Sequence, residues 1–328
     1  MRHLATLKHV LRQPVMAWER CLYALGLRVS RLAHLNPRPD ARYRAVVVGL
    51  PREYWDSFDA AYPEFDKLFA EPDVLAGELR LALQARHVAL ILCPEANRRR
   101  ALHATKGRST TIFEAGPAPI PLLERDGELA FGYWLDSMDH WVTARRPTEL
   151  SLILEHFDLA GRHAMGRMGW EMAERTALAP IGSGPCLHIP DDAGDPAPTD
   201  VAGPVVRFDD HLDMPWYAPE VQRNLMAALV HAPCVIVHHS PLGVLALLAG
   251  RKVIVTGKPA WAGYGLTEDR ATIRRVRTLS RDEFAAVLFG VLARYVDESG
   301  EPVDPAEGWV LPGQSPAPPR SAAPAAHG

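Results

Sequence analysis

The stretch VIVHHSPLGVLALLAGRKVIVTG, residues 235–257, constrains the fold more than any other part of the chain. The apolar run Cys234–Val237 is followed by a polar turn, by an apolar segment that ends at Gly250, and by a β-branched run, Lys252–Val255. Short apolar runs bounded by turn residues predict buried strands, and the segment between them predicts a buried helix closed by a glycine. This order predicts a βαβ unit with two parallel strands.

The carboxyl ends of these two strands predict a ligand site, because open α/β sheets bind ligands there. The strands end at the turn from His238 to Ser240 and at the turn from Gly257 to Pro259. Backbone N–H groups where the helix begins are suited to phosphate. The candidate ligand-binding residues at these turns are His239, Ser240, Gly243, Gly257 and Lys258.

Length and composition indicate an ordinary soluble protein. The chain has 328 residues, of which 48% are hydrophobic and 23% are charged, and this length suits two α/β domains or one large domain. A net charge of −3 predicts neither nucleic acid nor an anionic surface as a partner. Because we find no stretch that could span a bilayer and no signal-peptide pattern, we expect a cytoplasmic protein.

The four cysteines are scattered and lack metal-type spacing. Cys93 and Cys234 lie in apolar strand-like runs, so we expect both to be buried free thiols. This expectation favours a reducing compartment.

Alternating strands and helices in two halves predict an α/β fold with two Rossmann-like domains that face each other across a cleft. We assign residues 41–155 to the first domain and residues 156–311 to a shortened second domain. Residues 1–40 form a basic segment with helical spacing of apolar residues, which would pack on the protein, form an unstructured leader, or lie on an anionic membrane surface. Residues 312–328 are rich in proline and alanine and are predicted to be disordered.

Four segments resemble one family in the same order along the chain. The motif GKPAWAGYGLTEDR at residues 257–270 resembles Gly-x-Pro-Phe-Tyr-Ala-Gly-Trp-Gly-Leu-Thr-Asp-Asp-Arg of the bacterial capsular polysaccharide biosynthesis and export family. The other three segments are residues 114–116, 133–154 and 294–309. The family includes retaining β-Kdo transferases, so the resemblance implies a GT-B fold and transfer of a sugar, such as Kdo from CMP-Kdo, to a lipid-linked or polysaccharide acceptor. A lipid-linked acceptor would place the protein close to the inner membrane.

The resemblance also implies two catalytic carboxylates and a donor site. Glu114 matches the first residue of the family's Glu-Asp-Gly-Phe motif and would act as the general acid or base. Asp195, in Gly194-Asp195, is the nearest match to the proposed aspartate nucleophile, which would split a retaining displacement into two inverting steps. The candidate ligand-binding residues named above would line the phosphate and base of the donor. The alternatives are a surface position for Glu114 and an acidic, proline-rich loop for Asp195.

Two departures from the family favour a non-catalytic relative. Leu245 replaces a glutamate suited to the ribose hydroxyls, and a leucine side chain cannot accept a hydrogen bond. The interval from Pro196 to His238 lacks a His-Pro pair and is expected to be too short for a strand, a helix and a second strand. The chain is therefore either a retaining glycosyltransferase or a binding or assembly subunit in polysaccharide biosynthesis and export. A third interpretation is an unrelated α/β sugar- or nucleotide-binding protein.

The adjacent residues His238 and His239 could bind phosphate or a metal ion. Because neighbouring side chains on a strand point to opposite faces, we expect one histidine to be buried and the other exposed, without joint chelation. The fourteen histidines show no metal-ligand spacing elsewhere. We therefore predict no metal and no cofactor, with a CMP-sugar as substrate.

Overall fold

The computed structural model describes residues 32–38, 40–84, 88–107, 109–136, 148–159, 162–180, 183–195, 201 and 203–314. The predictions for residues 1–31 and for the tail beyond residue 314 lie outside the described residues, as does the part of the 133–154 passage from 137 to 147.

The described residues form two sheets flanked by helices. The strands are β1 Leu32–Ala33, β2 Tyr43–Val48, β3 Phe65–Ala70, β4 Val88–Leu92, β5 Ile112–Arg125, β6 Glu128–Asp136, β7 Cys186–Ile189, β8 Val205–Arg207, β9 Cys234–Val237, β10 Lys252–Val255, β11 Glu268–Asp269, β12 Arg294–Asp297 and β13 Pro302–Val303. The α-helices are Trp55–Ala61, Ala76–Ala82, Arg98–Thr105, Glu149–His156, His163–Thr176, Asp210–Asp213, Pro219–Leu229, Leu242–Leu248 and Arg281–Val287. The α/β class expected from the sequence is confirmed.

The first sheet has the strand order β1-β3-β2-β4-β5-β6-β12-β13. Strands β3, β2, β4 and the start of β5 run parallel. The last four residues of β2 are all buried, because Ala45 and Val47 pack on one face while Val46 and Val48 pack on the other. Burial on both faces explains why the strand is a continuous apolar run rather than an alternating one.

The second sheet is parallel throughout and has the strand order β11-β10-β9-β7-β8. The predicted βαβ unit is confirmed, since β9 and β10 are parallel neighbours joined by the helix Leu242–Leu248, which is buried at every position. The chain places β8 on one side of β7 and β9 on the other. The strand order therefore reverses between β7 and β9, and such a switch point is where open parallel sheets bind ligands.

The two sheets share one large core. The hairpin of β5 and β6 contributes Ile120, Leu123 and Trp134 to the same buried cluster as Val235 and Val253 of the second sheet. Near the end of the described chain, β12 returns to pair with β6 of the first sheet. The long hairpin therefore packs against the second sheet, and β12 joins a late part of the chain to the first sheet. The assigned domain boundaries stay a prediction.

The expectation for the interval from residue 196 to residue 238 was wrong. This interval holds β8, the helix Pro219–Leu229 and β9. They fit because β8 has three residues and β9 has four. The length of this segment therefore gives no support to a non-catalytic relative.

Cys186 and Cys234 form a disulfide with their Cα atoms 4.8 Å apart. Leu187 pairs with Val235, so the two preceding cysteines stand opposite each other on neighbouring strands. The expectation of a free thiol at Cys234 was therefore wrong, and the argument for a reducing compartment that rested on it falls, while Cys93 is confirmed as a buried free thiol. Among the described residues, no helix is both long enough and apolar enough to cross a membrane.

Candidate functional site

The loop after β7 and the turn after β9 meet at the switch point of the second sheet. The backbone N–H of His239 donates to Oδ1 of Asp191 over 3.0 Å, and Nδ1 of the same histidine lies 3.0 Å from Oδ2. Asp191 comes two residues after the end of β7. Because β7 and β9 are parallel neighbours, their carboxyl ends bring these two residues together.

The two histidines of the turn lie side by side. Their ring centroids are 4.1 Å apart, and Nδ1 of His238 lies 2.9 Å from the Thr256 hydroxyl at the end of β10. The expectation that the rings would point to opposite faces was wrong, because β9 ends at Val237 and strand alternation does not extend into the turn. His238 is exposed and His239 is half-buried.

Ser240 and Gly243 have structural roles at the start of the helix Leu242–Leu248. Ser240 is buried, and its hydroxyl and carbonyl oxygens accept hydrogen bonds from the N–H groups of Leu242 and Gly243, respectively. A Cβ atom at Gly243 would lie 2.5 Å from the Trp261 ring, so packing alone requires glycine there. These two N–H groups are therefore engaged within the turn rather than directed at a ligand.

Gly257 lets the end of β10 approach the histidine turn closely. A Cβ atom at this position would lie 2.4 Å from the carbonyl oxygen of His238 and 2.9 Å from Nε2 of His239. Lys258 follows and is exposed. The structure thus brings Gly257, Lys258 and the turn from His238 to Ser240 to one edge of the sheet.

Asp195 belongs to the same loop as Asp191. Its Oδ2 atom accepts a hydrogen bond from the backbone N–H of Asp191 over 2.8 Å. Arg207 of β8 stabilises this loop by donating to the carbonyl oxygens of Asp192, Ala193 and Asp195. Asp195 is therefore connected to His239 through Asp191, although its carboxylate also takes part in the structure of its own loop.

His188 was missed by the sequence reasoning and lies beneath this loop. It is 5% exposed, and its Nδ1 atom has no hydrogen-bond partner among the described residues. Burial lowers the pKa of His188, and the Arg207 guanidinium lowers it further, against the opposing effect of Asp195 and other carboxylates. The signal that could have found it is a histidine inside the otherwise apolar strand Cys186–Ile189.

Glu114 lies at the carboxyl edge of the parallel part of the first sheet. It stands opposite Leu92, the last residue of β4, and is 7% exposed. Arg98, the first residue of its helix, forms an ion pair with the Glu114 carboxylate. Asp136 of β6 is buried and stands opposite Glu114. Glu114 is therefore a buried residue in a cluster of charged side chains, not a surface residue.

Tyr217 connects the second half of the chain with the carboxyl edge of the first sheet. Its hydroxyl donates to Glu95, just after β4, over 3.3 Å, and its ring lies 5.7 Å from that of Tyr54. Burial raises the pKa of Tyr217, with a further contribution from the Glu95 carboxylate. Burial also raises the pKa of Tyr54 to about 12. Both phenols are therefore protonated, neutral groups at neutral pH.

Residues 221–296 match the family described as capsule polysaccharide biosynthesis protein. The matched segment contains β9, the histidine turn, the buried helix, β10 and the Gly257–Arg270 motif. No curated protein sequence matches the chain.

Two solved structures share the fold. The β-Kdo 2,7-transferase KpsC of Thermosulfurimonas dismutans is 18% identical with a TM-score of 0.56, and the match covers 80% of this chain and 96% of that one. The β-Kdo 2,4-transferase KpsC of the same organism is 14% identical with a TM-score of 0.50, covering 79% and 94%. At this identity the likeness shows a Rossmann-like α/β architecture. The matched segment confirms the resemblance to the capsule polysaccharide biosynthesis family that is seen in the sequence.

Proposed function

We propose that this chain is a glycosyltransferase-like protein of GT-B type that acts in capsule or surface polysaccharide biosynthesis. One observation carries the proposal: the loop Asp191–Asp195 and the turn from His238 to Ser240 meet at the switch point, beside Gly257 and Lys258. This is where open parallel sheets bind nucleotides. The similarity to KpsC β-Kdo transferases supports a CMP-sugar, such as CMP-Kdo, as the donor.

In this proposal the two predicted carboxylates act in sequence. Asp195 attacks the anomeric carbon of the donor sugar, and the nucleotide leaves with the bonding electrons. Glu114 then accepts the proton of the acceptor hydroxyl, which displaces Asp195 from the sugar. Two inversions at the same carbon give overall retention of configuration. The exposed ammonium group of Lys258 offsets the negative charge on the departing phosphate.

The remaining partners follow from this reaction class. The acceptor is a glycolipid or a growing polysaccharide, and nucleic acid is not a partner. The protein acts in the cytoplasm, with peripheral contact to the inner membrane through residues 1–40, most of which lie outside the described residues.

Two observations favour the alternative function, a non-catalytic binding or assembly subunit. Leu245 is 1% exposed and packs in the main core, so it supplies no polar contact to a ribose. The carboxylate of Asp195 also accepts a hydrogen bond from within its own loop. Such a subunit would keep the family fold without binding a sugar donor.

A thermal-shift titration against CMP-, UDP- and GDP-linked sugars and the free nucleotides distinguishes the two functions. A ligand present at a hundred times its Kd stabilises the folded state by about 2.7 kcal/mol, which raises the melting temperature. We expect a shift with CMP or CMP-Kdo that is lost in Lys258→Ala. Lys252→Ala is the matched control, because Lys252 is an exposed lysine at the opposite end of β10.

The outcomes lead to different next steps. A CMP-specific shift in the wild type and in Lys252→Ala, but not in Lys258→Ala, justifies a sugar-transfer assay with Asp195→Asn and Glu114→Gln. If none of the nucleotides or nucleotide-sugars raises the melting temperature at millimolar concentration, the donor site is rejected and the assembly subunit is favoured.

A further inference from the structure

Three metal-ligating side chains converge at the switch point. Asp191, His238 and His239 each offer one ligand atom, and these atoms all lie within 4.8 Å of one another. We propose that these three residues bind a divalent transition-metal ion. Binding of the ion stands on this geometry alone, whereas its role beside the donor phosphate rests on the proposed function.

Other contacts orient both imidazole rings. Nδ1 of His238 is engaged by the Thr256 hydroxyl at 2.9 Å, which leaves Nε2 as the ligand atom. Nε2 of His239 lies 2.9 Å from the position that a Cβ atom would take at Gly257, while Nδ1 lies 3.0 Å from the Asp191 carboxylate and is the ligand atom of this ring. Metal-binding histidines are commonly held as His238 is, with one ring nitrogen on the ion and the other fixed by a neighbour.

The donor set selects the class of ion. Two imidazoles and one carboxylate suit Zn²⁺, Co²⁺, Fe²⁺ or Mn²⁺, whereas Mg²⁺ and Ca²⁺ prefer oxygen ligands throughout. Three protein ligands leave a fourth tetrahedral position open, as in catalytic zinc sites. That position would accept water or, in the proposed transferase, an oxygen of the donor phosphate.

Binding requires only a small movement of the side chains. Ligands about 2.0–2.1 Å from a tetrahedral ion stand about 3.3 Å apart, so a separation of up to 4.8 Å must close by about 1.5 Å. His238 is exposed, and the side chains of His239 and Asp191 are 43% and 29% exposed. The rings therefore have room to rotate toward a shared ion.

The test measures metal binding by the full chain without added histidine tags. Co²⁺ is titrated while its visible absorption is followed, and bound Zn²⁺ is counted by mass spectrometry after dialysis. The variants are His238→Ala, which removes an exposed ligand, and Thr256→Val, which removes the partner of His238 Nδ1. His231→Ala is the matched control, because His231 is an exposed histidine in the same half of the chain.

We expect one ion per chain in the wild type and in His231→Ala. The Kd should rise by more than about 100-fold in His238→Ala and by about tenfold in Thr256→Val, because loss of an outer partner alone costs 10–100-fold. The absence of tight binding by the wild type, or an unchanged Kd in His238→Ala, would overturn the proposal. The nucleotide titration is repeated with a chelator, which removes the metal ion. A failure of the metal site can then be distinguished from a failure of the proposed nucleotide-sugar site.

Discussion

Replacing Gly257 by alanine tests whether the end of β10 is packed against the histidine turn as closely as the structure shows. The added Cβ atom would lie 2.4 Å from the His238 carbonyl oxygen, 3.0 Å from its carbonyl carbon and 2.9 Å from Nε2 of His239. An ordinary contact begins at 3.4 Å, so the closest overlap is about 1 Å. Two of these three atoms belong to the backbone and cannot rotate away.

The magnitude follows from these contacts. Overpacking a well-packed site typically costs about 1–3 kcal/mol. If the His239 ring moves aside, its hydrogen bond to Asp191 is lost, which adds about 0.5–1.5 kcal/mol. We therefore expect Gly257→Ala to lower the free energy of unfolding by about 2–3 kcal/mol.

Urea denaturation monitored by circular dichroism measures this change, as a lower midpoint with an unchanged m-value. Gly166→Ala is the matched control, because Gly166 lies within the helix His163–Thr176 and its added Cβ atom would have no neighbour within 4 Å. This control should stabilise the protein by about 0.5–1 kcal/mol through helix propensity. A loss below about 0.5 kcal/mol in Gly257→Ala would refute the close approach of β10 to the turn.

Three further predictions concern buried groups. Lys67→Met should destabilise the fold by about 3 kcal/mol in urea denaturation, because the ammonium group is fully buried and donates to Asp59 and to two carbonyl oxygens; a loss no larger than that of exposed Lys106→Met would contradict this. Cys234→Ser should lower stability by up to about 4 kcal/mol, because the disulfide closes a loop with a sequence separation of 48; a wild-type midpoint that is insensitive to reductant would contradict it. Burial lowers the pKa of His188 in the folded protein. As the pH falls below about 6.5, this histidine is therefore protonated in the unfolded chain before it is protonated in the folded one. The free energy of unfolding should thus decrease from that pH toward the lower folded pKa. His188→Gln should reduce this slope in urea midpoints measured between neutral and acidic pH, and an unchanged slope would exclude His188 as its source.

The sequence predicted the elements whose patterns are local. The apolar runs Cys234–Val237 and Lys252–Val255 identify buried strands, and the apolar segment closed by Gly250 identifies the buried helix Leu242–Leu248. These features depend on residues only a few positions apart, so local patterns of apolar and turn residues suffice to find them. The resemblance to the capsule polysaccharide biosynthesis family was likewise visible in a contiguous motif, residues 257–270.

Register and adjacency depended on the tertiary structure, because they arise from packing between segments far apart in the chain. Cys186 and Cys234 form a disulfide because β7 and β9 are in-register neighbours, a relation that no local pattern encodes. Asp191 meets His239 for the same reason, across 48 residues. The sequence by itself determined which residue types follow each strand, whereas the strand order determined that those at β7, β9 and β10 share one site.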